Sequence, residues 1–140
     1  MLNPDLIRSR CQEIEASVQR LEKIAGLSEE VFLGNNDLQD VACYRLLVAI
    51  EAAIALCYHV SAKTVRKVPE GYAACFKLLA EEGWVTPDLG AQLQRMARFR
   101  NMLIHVYWEV DHHQVYSLIQ EHLNDLRAFT RAIVGRMNPK

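Results

Sequence analysis

The side chains best suited to chemistry lie close together in the sequence, between residues 95 and 113. They are Arg95, Arg98, Arg100, Asn101, His105, Tyr107, His112 and His113. An arginine guanidinium can stabilise negative charge that develops on a phosphate, and an imidazole can move protons near neutral pH. Arg100 and His105 therefore suit phosphodiester cleavage, with Asn101 orienting either group.

Helical spacing divides these residues between two faces. At about 100° per residue, Tyr107 returns to nearly the face of Arg100, whereas Asn101 and His105 share a second face. His105 then lies about 140° around the helix from Arg100, too far for easy convergence on one small group. We therefore expect a two-fold dimer with the site in the groove between subunits, where each residue meets its symmetry mate.

The sequence offers no carboxylate cluster suited to Mg²⁺, so the simplest reaction uses the 2′-hydroxyl of RNA as the nucleophile. His105 would serve as acid or base and Arg100 as electrostatic stabiliser, and DNA would resist cleavage. Taken alone, the same spacing also fits structural roles. These are a solvated or salt-bridged Arg100, a partly buried His105 and an aromatic core residue at Tyr107.

The hydrophobic pattern predicts an all-α protein in which this segment ends a helix. Apolar residues at helical spacing, bounded by capping residues, prolines and glycines, predict about five long helices. Ser28 to Leu33 forms a short additional turn, and Ser61 to Pro69 a basic loop that either borders the groove or is simply solvated. The long helices are expected from Asn3 to Gly26, from Asn35 to about His59, from Glu70 to Gly83, from Thr86 toward His105, and from Asp111 to Gly135.

The composition fits one helical domain over residues 1–140. With a net charge of −1, any RNA contact must come from a local patch. No signal peptide and no apolar run of about 20 residues is evident, so no membrane association is expected. The widely spaced Cys11, Cys43, Cys57 and Cys75 lack a C-x-x-C pair. We expect them to be buried thiols in a reducing cytoplasm.

Other charged residues have both functional and structural interpretations. Arg95 and Arg98 could extend Arg100 into a basic strip that guides RNA, or they are simply solvated. Arg45 and Glu51 lie on the apolar central helix, where buried charges need partners, so they either pair across the interface or brace the site. The adjacent His112 and His113 are expected in a loop, and no metal site is predicted because they point apart and lack a third ligand.

The run Arg-Asn-Met-Leu-Ile-His-Val-Tyr from Arg100 to Tyr107 resembles the R-x4-H-x-Y signature of HepT-type toxins, a branch of the HEPN superfamily. The resemblance extends over nearly the whole chain. It includes the Ser-Glu-Glu-Val-Phe-Leu turn, the central helix with Arg45 and Glu51, the Thr-Pro-Asp helix start and the His-Val-Tyr-Trp-Glu-Val-Asp run.

This resemblance implies an antiparallel HEPN-like bundle that dimerises and acts as the toxin of a type II toxin-antitoxin system. It further implies a metal-independent endoribonuclease without a cofactor, with Arg100 and His105 catalytic and Asn101 supporting. The implied partner is a minimal nucleotidyltransferase (MNT) antitoxin that inhibits the toxin by transferring AMP to Tyr107. An AMP on the face of Arg100 would then occupy its guanidinium and block RNA.

Two other functions remain open from the sequence. The first is a non-catalytic helical module that binds nucleotide or presents a substrate to a nucleotidyltransferase, with Arg100 and His105 holding a phosphate. The second is a purely structural helical dimer. Residue types do not separate the first of these from the nuclease, because binding a phosphate and cleaving its ester require similar side chains.

Overall fold

The computed structural model describes residues 2–137, which form seven α-helices and contain no strand. A π-helical turn, Ser61–Val65, extends the third helix, and a 3₁₀ turn, Tyr107–Glu109, follows the fifth. The all-α prediction is confirmed. The helices are α1 (Pro4–Ala25), α2 (Glu29–Leu33), α3 (Asn36–Val60), α4 (Tyr72–Glu81), α5 (Pro87–His105), α6 (His112–Glu121) and α7 (Leu123–Met137).

The predicted count of five helices is wrong for two local reasons. The turn after Ser28 is a short helix, because the Ser28 hydroxyl accepts a hydrogen bond from the Val31 N–H at 3.2 Å and caps it. The predicted last helix is interrupted at His122, whose backbone has φ −123° and ψ 6°. The His122 side chain instead lies 2.9 Å from Asp125 in the first turn of α7.

The predicted helix starts are confirmed by their side-chain caps. The side-chain oxygens of Asn3, Asn35 and Thr86 accept backbone N–H bonds in the first turns of α1, α3 and α5. Asp111 caps α6 by accepting the His113 N–H at 2.9 Å. His112 and His113 are therefore the first two residues of a helix, and the expectation that they lie in a loop is wrong.

Neighbouring helices run antiparallel, as contacts between opposite ends show. The Asn3 N–H at the start of α1 donates to His59 near the end of α3, at 2.9 Å. The first residue of α4, Tyr72, contacts the late α5 residue Arg100, and the later Ala80 lies next to the early Gly90. The bundle is therefore the antiparallel kind that the resemblance implies.

The third helix lies at the centre and packs against α1, α4, α5, α6 and α7. Together with its π-turn it is the one helix within residues 2–137 that is long and apolar enough to cross a membrane. Its most apolar stretch of 18 residues has a mean hydropathy of 1.8, and 56% of that stretch is buried inside the protein. Packing on several sides accounts for this apolar composition, as expected of a core helix.

An ion-pair network fastens α7 to α1. The Arg127 guanidinium lies 2.8 Å from Glu15 and 2.6 Å from Glu22. These two glutamates are seven residues apart and project from nearly the same face of α1. These bonds hold the pKa of both carboxyl groups below the ordinary value. The network therefore joins α1, the first helix, to α7, the last described helix.

The cysteine prediction is wrong for one pair. Cys57 on α3 and Cys75 on α4 form a disulfide, with their Cα atoms 6.2 Å apart. The 18-residue separation of these cysteines carries no pairing signal, because only the packing of α4 beside the end of α3 brings them together. Cys43 is a buried thiol as predicted, and Cys11 is partly buried.

Close packing of α4 on α5 depends on Gly90. A Cβ at this position would lie 2.7 Å from the Ala80 Cβ. We expect Gly90→Ala to lower the free energy of unfolding by roughly 1–2 kcal/mol, because overpacking outweighs the gain in helix propensity. Urea denaturation followed by circular dichroism measures this. Gly135→Ala is the matched control, since its Cβ meets no atom within 4 Å, and should be neutral or slightly stabilising. Equal stability of the Gly90 variant and the wild type would contradict the packing argument.

Candidate active site

The candidate site is built around the C-terminal end of α5. The helix carries Arg100 and Asn101 and ends at His105, as predicted. Val106, with φ −138° and ψ 50°, leaves the helical conformation, and the chain turns into the 3₁₀ segment at Tyr107. The α-helical rotation of α5 therefore applies to residues up to His105 and does not extend to Tyr107.

Arg100 is held by contacts to three elements. Its Nε donates to the Glu51 carboxylate on α3, and its Nη1 donates to the neighbouring Asn101 Oδ1 at 3.1 Å. Its Cζ lies 4.8 Å from the centre of the Tyr72 ring at the start of α4. Only 15% of the Arg100 side chain is exposed. The guanidinium is thus fixed in orientation, with donor groups left for an anion.

Glu51 therefore braces the site within one chain, which is one of the two alternatives that the sequence left open. Its carboxylate satisfies a guanidinium that would otherwise be costly to place at a mostly buried position. Arg45 has a different environment, because its Cζ lies 5.7 Å from the ring of the adjacent Tyr44. Arg45 is not brought to Arg100.

The outward face of α5 carries Asn101 and His105, both exposed. Arg98 is also exposed, and seven residues separate it from His105, so the two project from nearly the same side of the helix. Arg95 instead lines an open groove of about 1070 Å³ between α5 and α7, with Asp125 and Arg131. The predicted strip does not include Arg100, which turns inward to Glu51. Arg95 and Arg98 are both exposed and lie about 60° apart around α5.

Tyr107 does not share the face of Arg100, so that prediction is wrong. It assumed a helical rotation through residue 107, but α5 ends two residues earlier. The Tyr107 hydroxyl turns back onto α3 and donates to Asp40 Oδ1 at 3.0 Å. Arg100 and Tyr107 are brought to different points on the central helix.

Asp40 and Glu51 mark those two points on α3. Eleven residues make about three helical turns, so the two carboxylates project from nearly the same side, about 16 Å apart along the axis. Between them lies Tyr44, with 59% of its surface exposed. The guanidinium and the tyrosine hydroxyl are therefore held at opposite ends of one exposed stripe of α3.

A small cavity of about 180 Å³ adjoins Tyr107. Burial and the hydrogen bond to Asp40 raise the pKa of Tyr107 above its ordinary value. Burial, followed by the Asp40 charge, raises the pKa of the nearby Cys43 thiol to about 11. Both groups thus keep their protons near neutral pH. The lining residues are Asp40, Cys43, Tyr44, Leu47, Leu103 and Tyr107.

The remaining candidates lie elsewhere. His113 is exposed, and its Nδ1 lies 3.2 Å from Glu29 on α2. The basic side chains of Lys63, Arg66 and Lys67 after α3 are exposed, with Arg66 in the left-handed conformation at φ 60°. Within residues 2–137, no group of three or more His, Cys, Asp or Glu side chains is placed to hold a metal ion.

Sequence reasoning missed Asp40 and Tyr72. Asp40 lies in the second turn of α3, where an acidic residue is commonplace, and its tyrosine partner is 67 residues away. Tyr72 lies where a loop gives way to α4, without a motif around it. Neither has a signal in the local pattern, because both contacts arise from packing between helices.

The fold is that of a helical HEPN-type protein. The chain is similar to a solved structure of the tri-AMPylated Shewanella oneidensis HEPN toxin in complex with MNT antitoxin, at a TM-score of 0.87 and 26% identity. The match covers 95% of this chain and 99% of that one.

Curated relatives extend the similarity to sequence. An mRNA nuclease HepT of Shewanella oneidensis is 27% identical over 129 residues, covering 92% of this chain and 96% of the relative. A tRNA nuclease HepT of Aphanizomenon flos-aquae is 25% identical over 132 residues, covering 94% and 90%. The model of the family described as ribonuclease HepT-like matches residues 14–133. The chain belongs to the HepT-like family.

The contact between Tyr107 and Asp40 can be tested by titration. The difference in tyrosinate absorbance between wild type and Tyr107→Phe isolates this residue among the five tyrosines. We expect its midpoint to lie above the ordinary value of about 10, because burial and the carboxylate disfavour the phenolate.

In an Asp40→Asn background the midpoint should fall, since no negative charge then faces the phenolate. Asp37→Asn, which removes an exposed carboxylate one turn earlier on α3, should leave the midpoint unchanged. The assignment is wrong if Asp40→Asn and the wild type titrate alike.

Proposed function

We propose that this protein is the toxin component of a type II toxin-antitoxin system and cleaves RNA at the end of α5. The observation that carries the proposal is the fixed guanidinium of Arg100, braced by Glu51, Tyr72 and Asn101, with an exposed His105 ending the same helix. Membership of the HepT-like family and the similarity to two proteins called mRNA nuclease and tRNA nuclease support it.

In the proposed reaction, the 2′-hydroxyl oxygen attacks the adjacent phosphorus and the 5′-oxygen leaves. His105 moves a proton as base or acid, and Arg100 stabilises the charge that develops on the non-bridging oxygens. Asn101 supports this by holding Nη1 of Arg100. The product strand then ends in a 2′,3′-cyclic phosphate. All of these steps use side chains and the RNA itself, so we expect a metal-independent enzyme without a cofactor.

Two copies of the chain are proposed to share each site. Arg100 turns inward toward α3, whereas His105 projects from the exposed side of α5, so one copy does not aim both at a single phosphate. Apolar side chains are exposed beside them, with Ile104 46% and Trp108 80% exposed. A two-fold contact through this surface would cover them and bring the Arg100 of one copy near the His105 of the other.

The partner is proposed to be an MNT-type nucleotidyltransferase that inhibits the toxin by transferring AMP to Tyr107. The similar HEPN toxin is tri-AMPylated and bound to an MNT antitoxin. Tyr107 is 46% exposed, which leaves it open to a modifying enzyme. Because its contact point on α3 lies about 16 Å from that of Arg100, successive AMP groups would extend along the exposed stripe toward the guanidinium.

The proposed RNA-binding residues beyond the active site are assigned from their positions on the surface of α5. Arg98 is a candidate RNA-binding residue because it lies on the His105 side of α5, and Arg95 is a candidate through the separate groove that it lines. The chain is proposed to act as one domain over residues 1–140 in the cytoplasm, where its RNA substrate is found.

Cleavage is tested by incubating purified, unmodified protein with RNA in EDTA. We expect chelator-resistant cleavage that leaves cyclic phosphate ends and spares DNA of the same sequence. Arg100→Ala and His105→Ala should each lower the rate by at least about 10²-fold, the usual contribution of one charge-stabilising or proton-transferring group.

His113→Ala and Arg8→Ala are matched controls, since both residues are exposed and pair with carboxylates away from the site. They should cleave like wild type. Intact RNA from the unmodified wild type would instead favour a module that binds phosphate without cleaving it.

The shared site is tested by mixing two inactive variants. If each site combines Arg100 of one copy with His105 of the other, a heterodimer of Arg100→Ala and His105→Ala contains one site with both residues intact. Co-expressed variants should therefore regain about half the wild-type activity per heterodimer, measured after separation by two affinity tags. Heterodimers as inactive as the single variants would show that both residues of a site come from one chain.

A further inference from the structure

We propose that Asp40 is the general base that takes the proton of Tyr107 when the first AMP is transferred to it. This inference rests on the proposed function, in which Tyr107 is the acceptor. It assigns a catalytic group for the modification to the modified protein itself. The observation behind it is the 3.0 Å hydrogen bond that the Tyr107 hydroxyl donates to Asp40 Oδ1, beside an open cavity.

The acceptor hydroxyl needs a base. In the resting protein the pKa of Tyr107 is raised, so the oxygen that must attack carries its proton at neutral pH. A phenol that keeps its proton is a weak nucleophile, and an adjacent base is a common means of activating such a group. The required base must lie within hydrogen-bond reach of that proton, and Asp40 does.

No other described side chain lining the cavity offers a free base. Cys43 is the nearest alternative, but with a pKa of about 11 its thiol remains protonated near neutral pH. Tyr44 is a phenol like the acceptor, and Leu47 and Leu103 are apolar. Asp40 itself is exposed, so a proton it accepts can pass on to water.

The transfer can be written with atoms balanced. The Tyr107 oxygen forms a bond to the α-phosphorus of an adenosine triphosphate held by the nucleotidyltransferase. The bond from that phosphorus to the β-phosphate oxygen breaks, and pyrophosphate leaves with the electron pair. The phenolic proton moves to Asp40. As the new bond forms, the acidity of the phenol rises, so transfer to a carboxylate becomes favourable at the transition state.

The same contact cannot serve later transfers. Once Tyr107 is esterified, its oxygen has no proton to donate, and the new phosphodiester places a negative charge near the Asp40 carboxylate. A second AMP cannot attach to the esterified tyrosine oxygen, so its transfer does not use the hydrogen bond between Tyr107 and Asp40. Asp40 is therefore specific to the first addition.

The test measures AMP transfer to the full-length toxin by its nucleotidyltransferase partner, with mass spectrometry resolving one, two and three additions. Asp40→Asn keeps an oxygen that can accept the Tyr107 hydrogen bond but removes the base. We expect the first addition to slow by about 10²-fold or more at pH 7. Second and third additions, measured on protein that already carries one AMP, should keep the wild-type rate.

The pH dependence gives an independent readout. The rate of the first addition in Asp40→Asn should rise roughly tenfold per pH unit toward the pKa of the tyrosine, because only the phenolate then reacts. The wild-type rate should change little over the same range. RNA cleavage by unmodified Asp40→Asn should match that of the wild type, which shows that the variant is folded.

Asp37→Asn is the matched control for a carboxylate on the same helix, and Tyr107→Phe the control for the acceptor. Equal first-addition rates in wild type and Asp40→Asn would overturn the proposal. So would equal slowing of all three additions, since that result indicates a docking role. Absence of AMP transfer to the wild type is a separate outcome, because it would overturn the proposed modification of Tyr107 itself.

Discussion

The ion pair between Arg100 and Glu51 is the interaction on which the site depends. A guanidinium with 15% of its side chain exposed has lost much of its hydration, and leaving it unpaired there would cost several kcal/mol. The Glu51 carboxylate and the Tyr72 ring offset that cost, the first as a charged hydrogen bond and the second as a cation–π contact. The buried apolar face of α5, which includes Leu93, Phe99 and Leu103, sets the rotation of the helix and leaves Asn101 and His105 exposed.

The end of α5 at His105 is the second constraint. A continuous helix would carry Tyr107 round to the side of Arg100, where an added phosphate would meet the guanidinium at once. Instead the chain leaves helical geometry at Val106, and the tyrosine is held on α3 by Asp40. Arg100 and Tyr107, the proposed catalytic arginine and the proposed AMP acceptor, are thereby held at different points along α3. Inhibition by the proposed modification would then require a group long enough to extend between them.

The sequence predicted what depends on local pattern. Caps at Asn3, Asn35, Thr86 and Asp111 located the helix starts, and the end of α5 at His105 was also anticipated. Glu51 was noticed because a charge on an apolar helix needs a partner, although its partner could not be named. The predicted orientation of Tyr107 assumes that the rotation of α5 continues to residue 107, but the helix ends at His105. The sequence does not predict the contacts of Asp40 and Tyr72 or the Cys57–Cys75 disulfide. Each of these contacts joins residues on separate elements, so no local sequence pattern indicates it.

The central helix is apolar, yet it holds both polar groups from the end of α5, the Arg100 guanidinium and the Tyr107 hydroxyl. Most of α3 is buried by its neighbours, which leaves one stripe free, from Asp40 through Tyr44 to Glu51. Both carboxylates lie on this stripe, and each faces a group from the end of α5. Glu51 faces the Arg100 guanidinium, and Asp40 faces the Tyr107 hydroxyl. The carboxylate of Glu51 faces a permanent charge, so it acts as an anchor. The carboxylate of Asp40 faces a neutral donor, and the proposed modification of Tyr107 would remove that contact. The same residue chemistry therefore gives a fixed bond at one end of the stripe and a releasable one at the other.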